Sequence, residues 1–249
     1  MIKLNNVSKS FNKGKANEVN ALRSTTIEIK HGDNVVVVGA NGSGKSTFLN
    51  LIAGNLNPTH GTILLQDVDV TQLAEYNRSK WIARVFQNPL SGTAPDLSIL
   101  TNFRLAALRT KPKNLTIGTD KAFKELVQQK LSTLKMGLEN KLDQPMGSLS
   151  GGQRQALTLL MSVMDDAKIL LLDEPTAALD PRSANFVMQT ADKIIQDYNL
   201  TAVLVTHNLK DAYTYGNRIL QFSEGVILRD ISSEEKKQLE LTDLFAWFE

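Results

Sequence analysis

Cysteine is absent from all 249 residues. That excludes a disulfide framework and any thiolate metal centre, and it is compatible with a reducing compartment. An excess of either charge is also missing: 28 basic residues face 26 acidic ones, for a net charge of +2. Such a balance leaves little spare positive charge to neutralise phosphates along a polynucleotide, so no nucleic-acid partner is expected. Long apolar runs are missing too. Runs such as Val35 to Val38 and Ile169 to Leu172 fall far short of the roughly 20 residues that a membrane-crossing helix needs. The opening residues, Met1 to Asn6, carry no apolar stretch of the secretion-signal kind. Any work at a membrane is therefore expected to pass through a partner.

What is present is an ordinary globular balance, 42% hydrophobic and 22% charged, at a length that suits one large α/β domain or two small ones. Ile2, Leu4 and Val7 read as an early strand ahead of Phe11, and Thr25 to Ile29 as a second. The β-branched run Val35 to Val38 suits a parallel strand buried on both faces. Further strands are expected at Thr62 to Leu65, Ile82 to Phe86, Lys168 to Asp173 and Thr201 to Thr206, with a hairpin at Arg218 to Phe222 and Val226 to Arg229. From Ser98 to Asn140 the spacing turns helical. Phe123, Leu126, Val127, Lys130, Leu131 and Leu134 fall in one stripe, and Lys111 to Thr119 separates two such helices. Helices are also expected over Gln155 to Met164 and Arg182 to Asp197, and a single terminal helix over Ser233 to Glu249.

Three motifs carry chemistry. Gly39-Ala40-Asn41-Gly42-Ser43-Gly44-Lys45-Ser46 follows a buried strand and opens a helix closed by Gly54, which is the setting of a phosphate-binding P-loop. Glycines let successive backbone N–H groups converge on phosphate oxygens, and the helix adds its positive dipole end. Lys45 is placed for the β- and γ-phosphates and the Ser46 hydroxyl for Mg²⁺. Second, the buried strand ending at Leu172 delivers two carboxylates, Asp173 and Glu174, to the sheet edge where ligands collect. Asp173 suits Mg²⁺; Glu174 suits a general base for water. A helix cap or solvated turn is the bland alternative for these two. Third, Leu149-Ser150-Gly151-Gly152-Gln153 precedes a helix and makes a second anion-binding N-terminus. One γ-phosphate has no need of two cradles from one protomer. A composite site between two copies resolves the excess.

On these residues the chain resembles the ATP-binding subunits of ATP-binding cassette (ABC) transporters along nearly its whole length. Gly39 to Thr47 is similar to that family's Walker A motif, Ile169 to Glu174 to its Walker B motif, and Leu149 to Gln153 to its full signature. Gln87 stands at the Q-loop position that links Mg²⁺ to the transporter contact, Asp180 in the D-loop and His207 as the switch histidine. Phe11 replaces the tyrosine that usually stacks on adenine; it keeps the π-face and loses the hydroxyl.

The resemblance implies one ABC ATPase domain over 1–249: a P-loop (RecA-like) core with a mixed sheet, an N-terminal antiparallel β subdomain, and an inserted helical subdomain at about 96–158 carrying the signature. It implies ATP and Mg²⁺ as ligands, a head-to-tail partnership with a second copy, and permease subunits at the cytoplasmic face of the membrane. The Q-loop segment Phe86 to Pro95 is similar to that of bacterial small-solute importers served by solute-binding lipoproteins, some of them linked to aromatic amino acids. An exporter subunit, or a soluble ATPase without transport, are the alternative readings.

Overall fold

The computed structural model describes residues 1–111 and 118–248. Ten strands and nine α-helices follow in chain order among them: β1 Ile2–Phe11, β2 Val19–Ile29, β3 Asn34–Gly39, α1 Lys45–Ala53, β4 His60–Leu65, β5 Val68–Asp69, α2 Glu75–Arg78, β6 Ile82–Val85, α3 Ile99–Ala107, α4 Lys121–Ser132, α5 Gly151–Ser162, β7 Ile169–Asp173, α6 Pro181–Asp197, β8 Thr201–Val205, α7 Leu209–Thr214, β9 Arg218–Ser223, β10 Val226–Ile231, α8 Ser233–Lys236 and α9 Leu241–Ala246. Most of the expected separator Lys111 to Thr119 lies outside the described residues.

Two sheets form. An antiparallel one has the order β2-β1-β4-β5, and a mixed one the order β10-β9-β3-β8-β7-β6. In the mixed sheet only the β9–β10 pair is antiparallel. The expected fold class, a P-loop core with an antiparallel β subdomain and a helical insertion, is the one observed.

Strand β3 shows why an unbroken valine run was needed. Val35 and Val37 enter the core shared with the antiparallel sheet and α1, while Val36 and Val38 enter the core beneath α5 and α6. All four are wholly buried. A strand with layers on both faces alternates its side chains between two cores and has no position left for a polar residue.

Three expectations need correction. Leu126 is exposed, because α4 buries only Phe123, Val127 and Leu131, one side chain per turn. The signature helix begins at Gly151 and ends at Ser162, where Gln155 to Met164 was expected, because the capping box at Ser150 starts it four residues earlier. The tail is not a single helix. Capping boxes at Ser232/Glu235 and at Glu240/Asp243 start two short helices, α8 and α9. The reset lets Leu239 and Trp247 pack on the core and buries Leu244 completely.

Arg78 holds the far end of the P-loop helix. Its side chain is wholly buried and donates to the carbonyls of Leu51 at 2.7 Å, Ile52 at 2.9 Å, Leu73 at 2.8 Å and Thr71 at 3.3 Å. The first two are orphan carbonyls of the last turn of α1, where a cation also complements the dipole. Burial lowers the guanidinium pKa to about 10. Replacing Arg78 by Met strands these carbonyls; at roughly 1–3 kcal/mol per unpaired buried group, a loss of about 4 kcal/mol is expected. Thermal unfolding should show a fall in Tm of roughly 10 °C.

Candidate functional site

The parallel register brings the motif residues to one edge of the mixed sheet. Val85 pairs with Leu172, so Phe86 and Gln87 leave β6 beside Asp173 and Glu174. Asp173 pairs with Val205, and Val205 with Val37, so His207 and Gly39 emerge at the same level. This is the carboxyl edge, where open α/β sheets bind ligands.

The P-loop takes the shape its sequence requires. Gly44 has φ of 106°, and a β-carbon there would lie 2.5 Å from the Ala21 carbonyl. The Lys45 ammonium donates to the loop's own carbonyls, Gly39 at 2.8 Å and Ala40 at 2.9 Å. Burial lowers its pKa, and the negative charge of Glu174 partly opposes that. The Ser43 hydroxyl is buried with no hydrogen-bond partner among the described residues. A cation folded back on its own loop and an orphan hydroxyl beside it fit an anion with several oxygens. Ala40, Asn41, Gly42 and Ser46 are exposed, and Thr47 is half-buried.

Glu174 adopts a left-handed backbone conformation, φ 44°, and its N–H donates to the Val205 carbonyl at 3.0 Å. A non-glycine residue there costs of order 1 kcal/mol, offset here by the neighbouring strand. The turn aims the carboxylate back across the sheet edge, where its Oε2 lies 3.2 Å from His207 Nδ1. Lys45, Glu174 and His207 therefore converge, with Asp173 one residue away on β7.

The other expected residues make no hydrogen bond or ion pair with Lys45, Glu174 or His207 among the described residues. Phe11 ends β1, one-third exposed, with the Lys9 ammonium 5.3 Å above its ring. Gln87 is exposed and makes no side-chain hydrogen bond among the described residues. Asp180 caps α6 through the N–H groups of Arg182 and Ser183, both at 3.1 Å. Hydrogen bonds from Ser183 hold its carboxyl below the usual range. Ser150 caps α5 in a box with Gln153 and is exposed. Gly152 is required for packing: a β-carbon would meet Ser183 Cβ at 2.7 Å. No hydrogen bond or ion pair among the described residues joins Ser150 to Gln153 with the P-loop. Within one copy the two cradles stay separate.

Two further residues escaped the sequence reading. Gln155 is wholly buried and its amide donates to the Phe86 carbonyl at 2.9 Å, which ties the signature helix to the backbone just before Gln87. Arg84 donates to Asp173 Oδ2 at 2.9 Å. A polar residue in an otherwise apolar helix or strand end was the available signal; its partner, far along the chain, was not.

The family model described as "ABC transporter" matches residues 22–177. The chain belongs to the ABC transporter family. A full-length relative is the "Tyrosine transport ATP-binding protein" of Clostridioides difficile (strain R20291), 39% identical over all of this chain and 99% of that protein. The "Macrolide export ATP-binding/permease protein MacB" of Campylobacter fetus is 34% identical over 92% of this chain, but only 34% of that protein. Among solved ABC structures, a dimeric cassette in a post-hydrolysis state bound to ADP and Pi aligns with a TM-score of 0.79. It is 28% identical, and the alignment covers 94% of this chain and 99% of that one. This chain is thus an ABC ATPase subunit that hydrolyses ATP to energise transport. No helix among its described residues is long and apolar enough to cross a membrane.

Proposed function

We propose that this subunit drives the import of a small, amino-acid-like solute through permease subunits at the cytoplasmic face of the membrane, supplied by an extracytoplasmic solute-binding protein. The observation that carries the ATPase site is the convergence of Lys45, Glu174 and His207 beside Asp173. The direction and cargo rest on the full-length likeness to the tyrosine transport ATPase.

The roles follow from the chemistry. ATP stacks its base on Phe11 and lays its phosphates in the loop from Gly39 to Thr47, where Lys45 exchanges the loop carbonyls for phosphate oxygens. Ser46, Asp173 and Gln87 would hold Mg²⁺, which supplies charge neutralisation and alignment of the phosphate oxygens. Glu174 accepts a proton from the attacking water, and His207 steadies the γ-phosphate. Ser150, Gly151, Gly152 and Gln153 of a second copy close over the same phosphate, with Asp180 shaping the turn beside them. The capping box at Ser150 presets the N–H groups of that helix end for an anion.

A groove of about 870 Å³ lies between the core and the helical insertion, lined by Glu75, Tyr76, Arg84, Phe86 and Leu105 among others. Tyr76 and Leu105 are 76% and 51% exposed. Its apolar wall and position next to Gln87 suit a short cytoplasmic segment of the permease.

The test is reconstitution. The subunit, purified with its membrane partners and the solute-binding protein, is placed in vesicles and given ATP on its own side. Concentrative uptake of labelled tyrosine or a similar amino acid is expected. Outward pumping, or ATP turnover indifferent to the membrane partners, would overturn the import reading.

A further inference from the structure

Arg84 lies in none of the motifs named above, yet its guanidinium joins four parts of the chain. One terminal nitrogen donates to Asp173 Oδ2 at 2.9 Å and the other to Asn55 Oδ1 at 2.7 Å. The Asn55 amide donates in turn to the Glu75 carboxylate. The guanidinium also stacks on Phe86, its carbon 4.7 Å from the ring centroid. The Arg84 and Asp173 side chains are only 10% and 18% exposed, so the ion pair is largely screened from water.

Burying such a pair is expensive unless the geometry is good and further hydrogen bonds are made. Here those bonds lead somewhere. Asn55 follows the glycine that ends α1, and Glu75 opens α2. Arg84, Phe86 and Glu75 all line the groove. A continuous polar chain, Asp173–Arg84–Asn55–Glu75, therefore runs from the acidic strand end to the groove wall, separate from Gln87. Arg84 engages only Oδ2 of Asp173, and Oδ1 takes no hydrogen bond among the described residues.

We propose that Arg84 is a positioning residue that ties the Asp173 carboxylate to the groove, so that what docks in the groove is felt at the metal site. This rests on the reading of Asp173 as a Mg²⁺ holder and of the groove as the permease contact. Arg84 fixes the carboxylate with one oxygen engaged and the other turned free. A ligand's outer partners act in this way, and their loss typically weakens metal binding by about 10–100-fold. A plain counter-ion would act in the opposite sense: it competes with the metal for Asp173, and its removal strengthens metal binding.

The experiment measures Mn²⁺ affinity by electron paramagnetic resonance on the full chain loaded with ATP, in a Glu174→Gln background so that nothing turns over. Arg84→Met should weaken Mn²⁺ binding roughly tenfold. Arg84→Lys, which keeps the charge but not the two-armed geometry, should recover only part of that. Asn55→Ser removes no charge and cuts the chain beyond Arg84; a loss of about threefold is expected, smaller because the Arg84–Asp173 contact survives. Unchanged or tighter Mn²⁺ binding in Arg84→Met, or full recovery in Arg84→Lys, overturns the proposal. Asp173→Asn separates the two readings. If it also leaves Mn²⁺ binding unchanged, the metal assignment itself has failed. If it weakens binding while Arg84→Met does not, only the positioning role falls. With permease subunits present, Arg84→Met should also lose most of their stimulation of ATP turnover in the parent chain; retained stimulation counts against it.

Discussion

Replacing Glu174 by Gln is expected to lower ATP turnover by about 10²–10⁴-fold while leaving nucleotide binding intact. The amide cannot take the proton from water, yet it fills the same volume and keeps the turn set by the Glu174 N–H and the Val205 carbonyl. It also removes the negative charge that supports protonation of Lys45. Repulsion between the Glu174 carboxylate and the γ-phosphate disappears with it, so the ATP-bound form should accumulate as a dimer on size-exclusion chromatography. Steady-state phosphate release gives the rate. Turnover within about threefold of the parent chain would remove Glu174 from its role.

Replacing Ser150 by Arg should be nearly as damaging, for a different reason. Ser150 caps the signature helix and makes no hydrogen bond to the P-loop of its own copy among the described residues. A lone subunit should therefore bind ATP almost as well as before. The cost to the fold is that of a lost N-cap, about 1 kcal/mol. Turnover, in contrast, should drop roughly 100-fold, the loss typical when a preset donor to a developing charge is removed. Isothermal titration separates binding from turnover. A Ser150→Arg chain that kept its turnover, or one whose monomer no longer bound ATP, would contradict a site shared between copies.

These effects concern residues that the sequence already exposes, and the reason is physical. A P-loop, a buried strand ending in acids and a capped glycine-rich helix start each carry their chemistry within a few consecutive residues. Local spacing is then enough to find them. The alternation of Val35 to Val38 between two cores was legible for the same reason. What stayed hidden depends on distant partners. Arg84 sits in a short strand beside Ala83 and Val85 and meets Asp173 across 89 residues of sequence. Gln155 reaches Phe86 across 69, and Arg78 reaches the end of α1 across 27. In each case a buried polar group declares its purpose only when its acceptor is in place. The terminal segment failed differently. Its helical spacing was genuine, but a second capping box at Glu240 outcompeted continuation because it allowed Leu244 to be buried.

The central claim is that ATP is held between the P-loop of one copy and the signature of another. The chain lacks cysteine, so crosslinks can be placed without background. One batch carries Asn41→Cys and a second Ser148→Cys, both exposed positions, each in the Glu174→Gln background. Mixed with ATP and Mg²⁺ under mild oxidation, the batches should give a covalent heterodimer, and without ATP they should not. Absence of that ATP-dependent species, or a product formed only between two Asn41→Cys copies, would contradict the account.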